Sequence, residues 1–392
     1  MLDSVAGGAL LHVGGEASIY LLNVGGAPYV LKWYNDGFSF DEQIVENASK
    51  VHEPGLYRIE EWGKRDGIPY LIYEFVDGVV SDKLERIPVA VALLALRQVA
   101  LTLASLLKHG VSHGDLNPAN VIFSADGSNV ERAKVAKSSA KSTSGLRTVV
   151  IDCGIVGPGA LAYASPERFQ GKKADEKSDL FSLGLLLYRW IAGEDLVQAD
   201  GYERFAEQMV NVENVNVTER LYSTGAFNTP DGALLLSALE PLWAGLLRSD
   251  AAERVEDFDE LDELLEIALD KVGHGEIALS SSVAQFVEAR LKCPENVSNV
   301  ARKVPKALEK DLPFMVCKKK NGLKLAVLGV LILILVLIVL LLSSGTMSFG
   351  IDATGDRLLK RSRNIESSVD SENAPNLKVD SLLSELPVPS AE

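Results

Sequence analysis

The chain has 392 residues, and 39 Lys and Arg against 54 Asp and Glu give it a formal charge of −15 at neutral pH. An acidic excess of this size argues against binding to a nucleic-acid backbone, which needs a clustered basic surface. The three cysteines are too widely spaced in sequence for a cysteine-rich zinc site or a disulfide scaffold. We therefore expect an acidic globular protein of a reducing compartment, with no nucleic-acid partner.

About the first 80 residues predict a strand-rich region with one helix. Three runs are rich in β-branched and aromatic residues and are bounded by Gly, Pro or Asp, namely 18–22, 29–33 and 70–75. Residues 41–51 have helical spacing. From 89 to 272 the pattern is helical, apart from loops between 112 and 170. Residues 124–148 are rich in Ser, Lys and Ala without periodicity, which predicts an exposed loop.

Two long apolar segments have different interpretations. Residues 89–107 carry Arg97 and Gln98 at their centre, where a charge in lipid costs about 2.5–3.5 kcal/mol, so a buried helix of a globular domain is expected. Residues 325–342 are 18 consecutive apolar residues, which span about 27 Å as a helix. We therefore predict a transmembrane helix within 323–345, which explains a mean hydropathy of +0.11 in so acidic a chain.

Basic residues crowd the N-terminal side of this apolar run. Eight Lys and Arg lie between 302 and 324, and four of them directly precede the run: Lys318, Lys319, Lys320 and Lys324. Positive charge of this kind favours the cytoplasmic side and contact with anionic lipid headgroups. The prediction is a single-pass protein of the cell membrane, with the region before the span in the cytoplasm and the tail outside.

The regions on either side of the span carry little sign of a folded core. Residues 273–322 show weak helical patterns and no obvious core, so we interpret them as a juxtamembrane linker. Residues 346–392 are polar and almost free of aromatic residues, which predicts a disordered tail.

The residues that carry chemistry begin in segment 113–123, which reads HGDLNPANVIF. Asp115 can accept the proton of an attacking hydroxyl, and Asn120 can hold Mg²⁺ on nucleotide phosphates. Asp152 ends a predicted strand, is followed by Cys-Gly, and can supply a further carboxylate for Mg²⁺. Lys32 lies within an apolar strand, where it needs an anionic partner such as a phosphate together with a helix carboxylate.

Taken in order, these motifs resemble the eukaryotic-like (Hanks-type) serine/threonine protein kinase family over residues 9 to about 270. The resemblance implies a bilobal α+β protein-kinase-like fold over 1–272, with a small lobe to about residue 78 and a helical lobe after it. A single transmembrane helix would follow the linker. The implied cofactors are ATP and Mg²⁺, and the implied partner is a protein substrate.

The resemblance also implies roles for individual residues. Asp115 would be the catalytic base, with Asn117 beside it in the catalytic loop. The residues implied to bind nucleotide are Gly14, Gly15, Lys32, Glu42, Glu74, Val76, Asn120 and Asp152, of which Asn120 and Asp152 would also bind the metal. Glu42 is expected to pair with Lys32, with Glu46 as the alternative because the helix register is open.

Further landmarks of the family have matches in the chain. Tyr73 would be the gatekeeper before the hinge, and Arg254 would pair with Glu167 at the end of the activation segment. Residues 178–184 resemble the start of the central helix of the large lobe. We interpret His113 as a structural residue of the catalytic loop.

The chain departs from the family on the phosphate-transfer side. The three glycine positions of the phosphate-binding loop are occupied by His12, Gly14 and Ala17. Asn117 stands where a lysine that stabilises the transferring phosphoryl group is usual, and Ala160 stands where a threonine is usual. These losses place the rate of transfer in question more than the binding of ATP.

A second departure concerns regulation. Gly114 replaces the arginine that usually precedes the catalytic aspartate, and segment 155–164 contains no Ser or Thr. A phosphorylated activation loop would have no local positive charge to pair with. We therefore expect that loop phosphorylation does not switch this protein. The loop 124–148 is interpreted as a solvated insertion or as an autophosphorylation or docking loop.

Three functions are compatible with these residues. The first is a membrane-anchored protein kinase that transfers the γ-phosphate of ATP to Ser/Thr hydroxyls in signalling. The second is a pseudokinase, an ATP-binding membrane-tethered scaffold with little or no phosphotransfer. The third is a kinase of small molecules, because its catalytic loops often read His-Gly-Asp, as 113–115 do here.

Overall fold

A five-stranded antiparallel sheet forms the N-terminal part of the fold. The structure is a computed structural model that describes residues 8–125, 145–153, 159–225, 227–273 and 276–291. The strands are β1 (Gly8–Val13), β2 (Ala17–Val24), β3 (Ala27–Tyr34), β4 (Ile59–Arg65) and β5 (Ile68–Glu74). Their order in the sheet is β1-β2-β3-β5-β4, and all neighbours are antiparallel. Helix α1 (Glu42–Ser49) connects β3 to β4, and Asp41 caps its N-terminus.

The predicted strands and the helix of this region are confirmed by β2, β3, β5 and α1. The sequence does not predict β1 or β4, because neither shows a run of alternating apolar residues. Leu10 and Leu11 of β1 are both exposed, and β4 reads IEEWGKR. Both strands gain their stability from pairing with a better-marked neighbour, β2 and β5 respectively.

A short segment after β5 carries the chain into the second sheet. Strand β6 (Val79–Val80) pairs with β7 (Val121–Ala125), which pairs with β8 (Leu146–Val150). Gly78 is required at the entry, since a Cβ there would lie 2.4 Å from the carbonyl oxygen of Phe123. The two ends of the predicted loop 124–148 belong to β7 and β8, and its middle lies outside the described residues.

Among the described residues up to 273, seven helices follow β6 in the helical lobe: α2 (Val89–Lys108), α3 (Pro166–Phe169), α4 (Glu176–Ala192), α5 (Tyr202–Val210), α6 (Val217–Ser223), α7 (Gly232–Leu246) and α8 (Phe258–Gly273). Helix α2 packs against α4, α8 and β8. Within the described part of the chain it is the single helix long and apolar enough to cross a membrane. Its Arg97 bonds Asp262 on α8 at 2.6 Å, and ten of its residues are buried, which confirms it as a core helix.

A further helix lies beyond the predicted end of the domain. Helix α9 (Glu276–Phe286) runs into one π-helical turn, Val287–Leu291. Val283, Phe286 and Val287 are buried, so the prediction of a linker without a core from residue 273 is wrong for this stretch. Three apolar residues spaced i, i+3, i+4 are too short a signal to stand out in sequence. The rest of the predicted linker, the span 323–345 and the tail lie outside the described residues.

The predicted pair of Glu167 and Arg254 is formed and closes the helical lobe. Arg254 donates two hydrogen bonds of 2.7 Å to the Glu167 carboxylate, one from each terminal nitrogen. Both side chains are buried, and the guanidinium lies 4.8 Å from the ring centre of Phe181 on α4. Burial alone raises the pKa of Glu167, but the hydrogen bonds and charge of Arg254 outweigh it and lower that pKa below its ordinary value.

Replacement of Glu167 by Gln is expected to lower the free energy of unfolding by about 3–5 kcal/mol, because it leaves the buried Arg254 unpaired. Urea unfolding at neutral pH measures the loss. Because the Glu167 pKa is lowered by folding, its contribution is present above the unfolded-state pKa and fades as the pH falls through the folded-state pKa. The difference in the free energy of unfolding between the wild type and Glu167→Gln is therefore expected to become smaller at acidic pH.

The neighbouring exposed pair of Arg248 and Glu253 provides the control, with a hydrogen bond of 2.8 Å. Arg248→Ala is expected to cost no more than about 1 kcal/mol, as is usual for surface pairs. An equal loss in the two variants would show that burial of the Glu167 pair does not set its contribution.

Candidate active site

The carboxylate of Asp179, near the start of α4, holds the backbone of the catalytic loop. Asp179 accepts hydrogen bonds from the backbone N–H of His113 at 2.7 Å and of Gly114 at 2.9 Å. Asp175 begins the helix with a capping box that it shares with Ser178, which fixes where Asp179 lies. Burial raises the pKa of Asp179, although the two backbone N–H donors oppose that shift.

His113 ties this loop to the strand that precedes Asp152. Its Nδ1 accepts the backbone N–H of Asp115 at 3.2 Å, so its Nε2 carries the proton and donates to the carbonyl of Ile151 at 3.0 Å. The side chain is buried, and both ring nitrogens are used in these hydrogen bonds. The interpretation of His113 as a structural residue is confirmed.

Three N–H donors hold the Asp115 carboxylate. Its Oδ1 accepts the backbone N–H of Ala160 at 2.7 Å and the Asn117 side-chain amide at 3.1 Å, and its Oδ2 accepts the Asn120 amide at 3.1 Å. A backbone group at Ala160 thus contacts the carboxylate where the family carries a threonine. Gly159 permits the approach, since its φ is +71° and a Cβ there would lie 3.1 Å from Asp115 Oδ1.

Asn117 serves the loop itself. Its amide nitrogen donates to Asp115, while its oxygen accepts the N–H of Ala119 at 2.9 Å and caps the 3₁₀ turn Pro118–Asn120. The side chain is buried and uncharged, so it cannot supply the positive charge that a lysine would bring to a transferring phosphoryl group. Its role in the structure is to position Asp115 and Asn120.

Lys32 and Asp152 form a partly buried ion pair on the opposite side of the site. Lys32 Nζ lies 3.1 Å from Asp152 Oδ2. Asp152 adopts a left-handed backbone conformation with φ of +59°, which is uncommon for a residue other than glycine. Its second oxygen, Oδ1, is buried and has no hydrogen-bond partner among the described residues.

This arrangement fits a Mg²⁺ ion that also contacts phosphates. Mg²⁺ sites of that type use one or two carboxylates, and the free Oδ1 of Asp152 is such a ligand. Asn120 spends its amide nitrogen on Asp115, which leaves its amide oxygen on the other side as a second ligand. The described residues include no group of three or more His, Cys, Asp or Glu with metal-binding geometry. The metal would therefore depend on Asp152, Asn120 and the nucleotide together.

The predicted pair of Lys32 and Glu42 is not formed, which corrects the sequence-based assignment. Glu42 bonds Lys64 of β4 at 2.8 Å, and the alternative, Glu46, bonds Lys50 at 2.9 Å. All four side chains are largely exposed. A basic residue on the neighbouring strand attracts Glu42 away from the cleft, and the sequence does not reveal that competitor because 22 positions separate them.

A cluster of buried tyrosines occupies the space beside Lys32 and Asp152. The Tyr34 ring centre lies 5.3 Å from Lys32 Nζ, and the rings of Tyr57 and Tyr73 meet edge to face at 4.9 Å. Burial and the charge of Asp152 raise the pKa of Tyr34 and Tyr73, so both stay neutral. Tyr34 and Tyr57 were missed in the sequence, because an aromatic residue in or after a strand is an ordinary core residue.

Cys153 lies among these side chains as a small buried residue. Burial, with a smaller contribution from Asp152, raises the pKa of its thiol to about 12. A thiol with such a pKa is protonated and unreactive at neutral pH. Cys153 therefore acts as a small apolar core residue.

The remaining nucleotide residues lie along the edges of the N-terminal sheet. Gly14 and Gly15 form the turn between β1 and β2, which is closed by a bond of 2.9 Å from Gly14 N–H to the Ala17 carbonyl. Glu74 ends β5, and Val76 follows in the segment that leads to β6. These positions agree with a phosphate-binding turn and a hinge, and their contacts to nucleotide stay predictions.

The comparisons with known proteins agree with this geometry. The protein kinase domain family matches residues 40–266, which is more than half of the chain, and the chain belongs to that family. The serine/threonine-protein kinase PknB of Mycobacterium leprae is 27% identical over 185 residues, covering 45% of this chain and 29% of that protein. PknL of Mycobacterium tuberculosis is 27% identical over 197 residues, covering 47% and 48%. The chain thus spans less than half the length of these relatives.

The kinase domain of Mycobacterium tuberculosis PknI is 20% identical to the chain, with a TM-score of 0.47, over 67% of this chain and 97% of that one.

Replacement of Asp152 by Asn is expected to weaken Mg²⁺-ATP binding by about tenfold or more, because a charged ligand of the metal is lost. Glu42→Gln is expected to change that affinity by less than about twofold, since Glu42 bonds Lys64 and not Lys32. Calorimetric titration with ATP, with and without Mg²⁺, measures both. Glu46→Gln is the matched control on the same helix. A loss in Glu42→Gln as large as in Asp152→Asn would show that α1 turns inward when nucleotide binds.

Proposed function

We propose that the chain is an ATP-dependent protein kinase that phosphorylates Ser or Thr hydroxyls of proteins. The observation that supports it most is the joint arrangement of Asp115, Asn120, Lys32 and Asp152 around one cleft. A base, two metal ligands and a cation for the phosphates are all present, in a chain of the protein kinase family.

The residues divide the chemical work in a definite way. From the described residues, Asp115 Oδ2 accepts one hydrogen bond and Oδ1 accepts two, so Oδ2 keeps the acceptor capacity to take the proton of a substrate hydroxyl. Lys32 would leave its ion pair with Asp152 and bind the phosphates of the nucleotide, to which it supplies positive charge. Asn120 and Asp152 would hold Mg²⁺, which neutralises charge on the phosphates when it is bound.

A second candidate, a pseudokinase scaffold, is favoured by the state of Asp115. Its carboxylate is held by three donors, and the neighbouring Asn117 brings no positive charge. Loss of one such electrostatic contribution lowers transfer rates by about 10²–10³ in other enzymes. In this alternative the chain binds nucleotide and acts through its shape.

One experiment separates these functions. The full chain is incubated with radiolabelled ATP, Mg²⁺ and a mixture of protein and small-molecule substrates, beside the variants Asp115→Asn and Lys32→Ala. A kinase gives incorporation into protein that both variants lose. Nucleotide binding without transfer identifies the pseudokinase, and transfer to small molecules alone identifies the metabolite kinase. Glu46→Gln, which alters an exposed carboxylate outside the cleft, controls for nonspecific loss.

We also propose that the domain is tethered to the cell membrane by the apolar run 325–342. The run is 18 residues long without a polar interruption, and basic residues precede it. By this assignment the catalytic domain faces the cytoplasm, close to anionic headgroups.

The full chain is expected to stay in the membrane fraction after an alkaline carbonate wash, because an integral helix resists extraction that removes peripheral proteins. Deletion of 325–342 is expected to move it to the soluble fraction. An epitope tag after residue 392 is expected to be cleaved by protease added outside intact cells. Recovery of the intact full chain in the soluble fraction would contradict the assignment.

A further inference from the structure

Helix α9 lies outside the segment that matches the protein kinase family, yet one of its side chains touches the strand that leaves the catalytic loop. The family match ends at residue 266. Phe286, at the end of α9, meets Phe123 of β7 edge to face, with ring centres 5.9 Å apart and planes at 67°. Phe123 is three residues beyond Asn120. Both rings are buried.

Phe123 is in turn packed against a residue of the central helix. The Phe123 and Trp190 rings meet at 81°, with centres 5.2 Å apart. Phe123 therefore lies between a helix beyond the family match and the helix that carries Asp179. Edge-to-face pairs of this kind contribute about 0.5–1.5 kcal/mol beyond simple burial, and they fix the angle of each ring.

Two buried hydrogen bonds connect Trp190 to the catalytic loop. The indole N–H of Trp190 donates to Ser81 Oγ at 3.0 Å, and Ser81 Oγ donates to the carbonyl of Pro118 at 2.8 Å. Pro118 begins the 3₁₀ turn that ends at Asn120. Ser81 is 1% exposed, so water does not compete for these bonds. The contacts thus run without a break from Phe286 to the turn that carries Asn120.

We propose that Phe286 is a positioning residue for the catalytic loop, acting through Phe123, Trp190 and Ser81. The proposal rests on the proposed kinase function for its kinetic readout. Densely packed interiors transmit small displacements, and a shift of about 1 Å at a reacting group can lower a rate by about 10²-fold. Phe286 is buried, and its described ring contact is with Phe123. Its effect falls on the geometry of Asn120 and of Asp115, to which Asn120 donates two hydrogen bonds.

Val283 provides the contrast needed to separate positioning from packing. It lies one turn earlier on α9 and is fully buried, and it takes no part in the ring contacts of Phe123. Loss of its side chain lowers stability without removing the ring that faces Phe123. A purely structural role of α9 predicts the same kinetic result for both residues.

The test compares Phe286→Ala, Phe286→Leu and Val283→Ala in the full chain, well below the melting temperature of each. We expect kcat to fall about tenfold or more in Phe286→Ala, because the contact path ends at the turn that carries Asn120, which bonds Asp115. Phe286→Leu is expected to recover part of kcat, and Val283→Ala to keep it. Equal kcat in Phe286→Ala and Val283→Ala would overturn the proposal.

Ser81→Ala tests the inner end of the same path and leaves α9 intact, so it decides the question if Phe286→Ala does not fold. Its kcat is expected to fall, and the loss in Ser81→Ala combined with Phe286→Leu to be smaller than the product of the two separate losses. Independent effects that multiply fully would contradict the path.

A second readout does not require phosphotransfer. Hydrogen exchange at the amides of Ala119 and Asn120 is expected to be faster in Phe286→Ala than in Val283→Ala, because those N–H groups bond within the loop turn. If the wild type transfers no phosphate, the proposed kinase function fails, and this exchange comparison still decides the role of Phe286. Equal exchange in the two variants would show that α9 does not position the loop.

Discussion

The buried carboxylate of Asp179 is the constraint on which the rest of the active site depends. It holds the N–H groups of His113 and Gly114 from the central helix, and His113 then bonds both Asp115 and the carbonyl of Ile151. The positions of the catalytic base, Asp115, and of the strand that precedes Asp152 are therefore both set by one helix, α4. Because Asp179 is buried away from solvent, its charge is compensated only while these donors stay in place.

The order of short motifs predicts most of the site. Each motif places a charged or polar residue where its burial is unfavourable without a partner, or at the end of a predicted element. Lys32 inside an apolar strand, Asp115 and Asn120 after a long helix, and Asp152 at a strand end all converge in the structure. Glu167 and Arg254 meet as predicted across 87 positions, because two buried charges of opposite sign have few other ways to be satisfied.

What the sequence could not predict depends on competition between groups far apart in the chain. Glu42 has the spacing to meet Lys32, but it pairs with Lys64 on β4 instead, and only the packing of α1 against β4 shows that they are close. Phe286 is an ordinary apolar residue in a weak helical pattern, and its importance arises from the ring that it meets. In both cases the residue type is uninformative and the partner decides the role.

The bond from Ala160 to Asp115 has a consequence for how the family can change over time. Its donor is a backbone N–H, which every amino acid except proline supplies. Substitution at position 160 therefore leaves the contact in place, whatever side chain is gained or lost. A change of side chain at this position therefore does not remove the hydrogen bond that supports Asp115. A comparison that scores only residue identity counts the missing threonine as lost function, although the backbone N–H still donates this bond.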